Sequence, residues 1–277
     1  VERSPFYLPI HVRMAEIMMR EGRVRNAITK YNTVAKAYMV RGEVERAASI
    51  LTEVLELAPL DVSIRNSLIE LLESEKRYED VLEHYIDLAH TYHQLGDFEK
   101  ARDTLTLSER LSRRIEAPVA KMIAIKHGIA ELDQMRLDMR RAQQAYEEIV
   151  RLAPDDERAH RHLVDIYFNQ GNPVEATRRL DQLLGIYAKK KQVSRIVQTL
   201  EELVKIYPKD SGLRSRMAGI YRQLGRSGEA IEQLDALGEL QLEAGNHRDA
   251  VNTIKLIIKL KPSNVDDYRR LLSQIGG

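Results

Sequence analysis

An all-α chain, folded as a right-handed solenoid of about fifteen antiparallel helices, is predicted by three observations. Six glycines are each followed five residues later by alanine and four beyond that by a large side chain; prolines recur after amphipathic runs; and the turns so marked fall mostly 17 or 20 residues apart. A chain built by repetition grows without enlarging one core, so 277 residues do not count domains here. The whole of 1–277 reads as one solenoid domain.

Each turn has a physical reason. The first falls at Gly22, with Met18 four residues before it and Ala27 and Tyr31 after it. A glycine just past an apolar run takes φ > 0 without a Cβ clash, so it stops a helix and reverses the chain. The alanine that follows is small because two helices cross closely there, and the larger side chains fill the space on either side. Gly42 repeats the arrangement with Tyr38, Ala47 and Leu51. In "EVLELAPLD", Pro59 cannot extend a helix interior, and Asp61 is placed to cap the next one. A degenerate copy around Lys76, with Val81 and Tyr85, starts a helix over 78–95, which Gly96 closes with Tyr92, Ala101 and Leu105.

Around "RRIEAPVAK" (113–121) the register slips, and this stretch is the candidate bend or sub-domain seam. Beyond it come a degenerate turn at Leu137, with Ala142 and Tyr146, and a proline turn at Pro154 with Asp156. Gly171 follows with Tyr167, Ala176 and Leu180, and Asn172 and Pro173 form a cap and first helical residue. Lys191, with Tyr187, Ile196 and Leu200, marks a further degenerate turn; Pro208 with Asp210, Gly225, Gly245, and Pro262 with Asn264 mark the remaining ones. Gln241 stands where the other copies have an aromatic. Positions 22 and 76, 42 and 96, 171 and 225, and 191 and 245 are each 54 residues apart, so the larger unit is three helices. The helices 24–40, 78–95, 173–190 and 227–244 then serve as second helix of one pair and first of the next.

These residues resemble the tetratricopeptide repeat. In "HRHLVDIYFNQGNPVEATRRLDQLLGIY", Leu163, Tyr167, Gly171, Ala176 and Leu180 match that family's packing positions, and "EEIVRLAPDD" matches its repeat ending. The resemblance implies a superhelix of helix pairs and a protein or peptide partner. It departs from the family in its 54-residue unit. If helices simply alternate between two layers, equivalent helices of successive units land on opposite faces; a stack resembling armadillo units would keep them equivalent. The alternating arrangement is the expected one.

Composition narrows the chemistry. Basic and acidic residues balance at 43 against 42, which argues against a nucleic-acid or anionic-membrane partner. No cysteine is present, so disulfides, thiolate metal sites and cysteine nucleophiles are excluded. No apolar stretch reaches the length of a membrane span, and a cytoplasmic location is expected. The sequence begins "VERSPFYLPIH", without an initiator Met, and is expected to be a piece of something longer. Phosphate-loop, GxGxxG and GxSxG patterns are missing, and "GRSG" at 225–228 reads as a turn. No enzyme activity and no cofactor are expected.

Two polar groupings remain. In "DLAHTYHQLGD", His90 and His93 share a helix face with Asp87, a trio that in principle could hold a divalent ion, although a structural or solvated role is expected and no metal site is assigned. In "RAHRHLVDIYFNQGN", Arg158, Arg161, His162, Asp165 and Asn169 form one polar helical surface, a candidate wall for an acidic or extended peptide, to be weighed against a plain solvated face. The Lys and Asn of the family's carboxylate-holding members are absent at Arg161 and Asp165, and Asn66 with Glu70 fails likewise. "YAKKKQ" at 187–192 reads as a helix end favoured by the helix dipole. The functional expectation is an interaction scaffold for a peptide segment or partner helix. Its alternative is the ligand-sensing or regulatory arm of a larger signalling or transcription-regulating protein.

Overall fold

Every turn predicted from glycine spacing closes in the same way. In the structure, a computed structural model that describes residues 7–275, Gly22, Gly42, Gly96, Gly171, Gly225 and Gly245 all have φ between 68° and 78°. The degenerate copies do likewise without glycine: Lys76, Leu137 and Lys191 have φ of 59°, 61° and 57°. Two backbone bonds enforce the shape. At Gly225 the glycine N–H donates to the Arg222 carbonyl and the Arg226 N–H to the Tyr221 carbonyl, and Lys191 and Gln192 repeat this onto Ala188 and Tyr187. This is the Schellman closure, which satisfies the last carbonyls of a helix. At the register slip the left-handed residue is Glu116, at φ 51°, inside the 113–121 stretch.

Among the described residues there are fifteen helices and no strand. The first eight are α1 (Leu8–Arg20), α2 (Val24–Val40), α3 (Val44–Leu57), α4 (Val62–Ser74), α5 (Tyr78–Gln94), α6 (Phe98–Arg114), α7 (Val119–Met135) and α8 (Met139–Leu152). They are followed by α9 (Glu157–Asn169), α10 (Pro173–Lys189), α11 (Val193–Ile206), α12 (Ser211–Gln223), α13 (Ser227–Glu243), α14 (His247–Lys259) and α15 (Val265–Ile275). Four of the predicted caps are made: Asp61, Asp156, Asn172 and Asp210 accept from the backbone N–H of Ile64, Ala159, Glu175 and Leu213 at 2.7–3.2 Å.

Helix starts at Val24 and Tyr78, and again at Val119, Pro173 and Ser227, stand 54 residues apart. Between Tyr78 and Val119 the interval is 41, because two 17-residue helices occupy it and the short third helix is missing.

The chain divides into two compact units, Val1–Ala159 and His160–Gly277, with the division inside α9. In the first unit Ala27, Ala47, Ala101 and Ala142 are buried at helix crossings, and Leu51, Leu68, Leu82 and Ile125 fill the core between them. In the second, Ala176, Ala230 and Ala250 do the same beside Leu180, Leu200 and Leu203. Within each unit, side-chain bonds between helices join neighbours or helices two apart. Asn32 Nδ2 of α2 donates to Ser63 Oγ of α4 at 3.3 Å, Lys121 of α7 pairs with Glu83 of α5 at 2.8 Å, and Arg216 of α12 pairs with Asp181 of α10 at 2.7 Å. Contact between i and i+2 is the signature of two alternating layers, so α5 and α7 lie side by side in one layer. That adjacency builds the cleft described next.

Candidate functional site

On α7 the residues Ala124, Gly128, Glu131 and Met135 recur at steps of four, three and four, which puts them on one helical stripe. Facing them on α5 are Ile86, Ala89, His90 and His93, and Leu105 of α6 and Leu132 of α7 close the floor. Together they enclose a cleft of about 130 Å³. An apolar cavity of roughly 150 Å³ accepts a benzene, so this one has room for a single aromatic or branched side chain. Gly128 sets its depth. A Cβ there would lie 2.8 Å from Leu105 Cδ1, so any larger residue would push the tip of the Leu105 side chain aside. At the mouth, His93 Nε2 stands 3.3 Å from Met135 Sδ and its ring meets Phe98 edge-on at 5.4 Å. Leu95, Phe98, Met135 and Leu137, on the two adjoining turns, are all exposed.

Charge is held at the rim and behind the cleft. Glu131 forms an ion pair with Arg158, whose side chain stays more than half exposed. On the far side of α7, Asp133 is buried and accepts from Arg102 Nε at 2.5 Å, which holds that guanidinium above its ordinary pKa. Buried Lys126 donates to Glu109 at 2.6 Å and also pairs with Glu148. Burial pushes the Glu109 carboxyl up, but the bonds from Lys126 and Arg113 outweigh it, so the group ends below the usual carboxylate range. His127 Nε2 lies 3.1 Å from Asp156 Oδ2, and Tyr146 donates to Gln134 at 2.8 Å, its hydroxyl pKa driven up by burial. These groups tie α7 to α6, α8 and the start of α9.

The predicted wall on α9 falls on both sides of the division between the units. Arg158, in the first, is turned to Glu131. In the second, Arg161 reaches Asp165 at 3.5 Å and Glu202 of α11 at 3.2 Å, and burial raises the Asp165 carboxyl against the opposing pull of Arg161. Asn169 Oδ1 accepts from the Tyr207 hydroxyl at 3.1 Å, and the Tyr207 ring stacks on Phe168 at 4.4 Å. His162 is half-buried, while His160 is fully buried on the other face, as their two-residue spacing requires. The other grouping comes apart. His90 and His93 line the cleft, but Asp87 accepts from Arg65 of α4 at 3.0 Å, and no three metal-ligating side chains converge among the described residues.

Sequence reasoning missed Gly128, Glu131 and Met135. A glycine inside the helical run "KHGIAELDQM" was the available signal, since such a residue costs helix stability and marks a close approach.

Stacked antiparallel helices with glycine turns and alanine crossings define an α-helical repeat protein. Its repeats are tetratricopeptide repeats: that family matches residues 33–85, 82–105 and 138–198. No curated protein matches the chain. Among solved structures, the apo form of RapI is 12% identical, with a TM-score of 0.50 over 92% of this chain and 97% of that one. A Rap protein complexed with competence and sporulation factor is 13% identical, with a TM-score of 0.45 over 93% and 75%. A tetratricopeptide repeat protein from Parabacteroides merdae, at 13% identity, gives 0.35 over 90% and 98%. At such identity the RapI likeness speaks to the fold alone. No helix among the described residues is long and apolar enough to cross a membrane.

Proposed function

We propose that this interaction scaffold holds a peptide segment or partner helix against the α5–α7 face, with one bulky apolar side chain of the partner seated in the cleft. The observation that carries the reading is the cleft itself: a side-chain-sized, mainly apolar opening lined by Gly128 and by exposed Met135 among others. Buried apolar anchors dominate protein recognition, while rim charges set orientation and approach. Here the rim charges are Arg158 and Glu131, and a carboxylate on the partner would compete with Glu131 for the exposed guanidinium. Arg161 and Asp165, joined to Glu202, are proposed as a second polar contact on α9, with His162 and Asn169 beside them.

The test is a selection from a displayed peptide library on the full chain, followed by binding measurements on the selected peptides. Ala124 is exposed at the cleft, so Ala124→Phe fills it without disturbing the core. Peptides with an aromatic or aliphatic anchor should lose affinity roughly tenfold or more on that variant, as expected when an anchor is denied its pocket. Changing Arg158 and Arg161 to Glu should weaken acidic sequences only. Equal binding by wild type and Ala124→Phe would remove the cleft from the function.

A further inference from the structure

The overall charge balance conceals two helices of opposite sign. α2 contains Arg25, Lys30 and Lys36 and no acidic residue, whereas α13 contains Glu229, Glu232, Asp235, Glu239 and Glu243 and no lysine or arginine. Beside α2 runs a cleft of about 690 Å³ toward the start of α4, and Arg25, Asn32 and Lys36 line it. Its one acidic residue, Asp61, has Oδ1 engaged as the cap of α4. Arg25 and Lys36 are exposed and have no ion-pair partner among the described residues. On α13, Glu232, Glu239 and Glu243 are likewise exposed and without an ion pair among them, while Asp235 is held by the Tyr268 hydroxyl at 2.8 Å.

The two stripes match in spacing. Positions 25, 32 and 36 advance by seven and then four, and so do 232, 239 and 243. Steps of seven and four keep three residues on one face of a helix. Laid parallel, the two helices place Glu232 by Arg25, Glu239 by the Asn32 amide and Glu243 by Lys36. We propose that the α2 face docks α13 of a second copy of this chain. The two faces differ, so each contact joins α2 of one copy to α13 of another, and it is met either by a reciprocal pair or by successive addition of copies. Exposed ion pairs are individually weak and screened by salt, so the association is weak and salt-sensitive.

Sedimentation velocity on the full chain, at rising protein concentration and at low and high salt, tests this. Wild type should show concentration-dependent association that salt reverses. R25E/K36E and E232K/E243K, each folded by circular dichroism, should each associate roughly tenfold more weakly, because the matched pairs become like charges. Mixing the two variants should restore association, since the reversed faces are again complementary. Ala124→Phe, which fills the α5–α7 cleft, should associate as wild type does, which separates this contact from the peptide site. A monomer at every concentration, association insensitive to the charge reversals, or no recovery in the mixture would overturn the proposal. So would a fluorescent acidic peptide or oligonucleotide occupying α2 while the chain stays monomeric.

Discussion

The contact between α6 and α7 and the contacts among α10, α11 and α12 are built from different materials. In the second unit, Leu180, Leu183, Leu200, Leu203, Leu213 and Met217 make one apolar layer. In the first unit, Thr104, Ser108, Ser112, Lys126, His127 and Asp133 are buried around the α6–α7 crossing, joined by the Arg102–Asp133 and Glu109–Lys126 bonds. The apolar contact lies where the 54-residue unit is complete, and the polar one lies where the short third helix is missing. The difference teaches how a repeat fold tolerates a deletion. Regular stacking needs only volume to match, so leucines serve; an irregular crossing needs its geometry specified, and buried bonds with fixed partners specify it. The cleft opens at that irregular crossing.

The comparison can be broken most directly at Asp133. Asp133→Ala leaves Arg102 beside an empty, largely buried position, and urea unfolding should show a loss of about 3 kcal/mol, the lower end for breaking a buried pair, since Arg102 keeps some exposure. In the second unit the sensitive property is volume. Ala176→Leu should overpack a helix crossing and cost roughly 1–3 kcal/mol, while Arg161→Ala should change stability by well under about 1 kcal/mol, as surface pairs do. A reversed ranking in thermal melts would show that the crossings have been misplaced.

Acid provides a gentler probe of the polar layer. The folded Glu109 carboxyl titrates below its unfolded value, so its contribution is present at neutral pH and disappears as pH falls through the acidic carboxylate range. Wild type should therefore lose more stability than Glu109→Gln between neutral and acidic pH in urea titrations, and parallel losses would mean the pair contributes nothing. The smallest effect is expected at the turns. Lys191 occupies the left-handed conformation that Gly225 holds 34 residues later, so Lys191→Gly should relieve roughly 1–2 kcal/mol of backbone strain and give part back as chain entropy, about 0.5–1 kcal/mol, for a small net gain in melting temperature.

The turns and crossings were legible in the sequence because each is local. A glycine with an alanine five residues on states both the φ > 0 turn and the close approach, and Lys76, Leu137 and Lys191 were recovered from the surrounding Val81, Ala142 and Ile196 even without the glycine. Two-helix spacing was not legible. His90 and His93 were visible as a helix face, but their meeting with Met135 and Glu131 depends on α5 lying beside α7, two helices away. The residues of the expected polar wall all fall on α9; what the sequence could not supply was that Arg158 and Arg161 turn to different acids, Glu131 and Glu202. The charge balance, summed over the whole chain, hid the opposition of α2 and α13.

The central functional claim is that the α5–α7 cleft seats one apolar side chain, and methyl NMR tests it most directly. N-acetylphenylalaninamide titrated into methyl-labelled protein should shift the methyl signals of Ile86, Leu105, Leu132 and Met135 together, and the shifts should vanish in Ala124→Phe. Shifts confined to other residues, or the same shifts with the cleft filled, would contradict it.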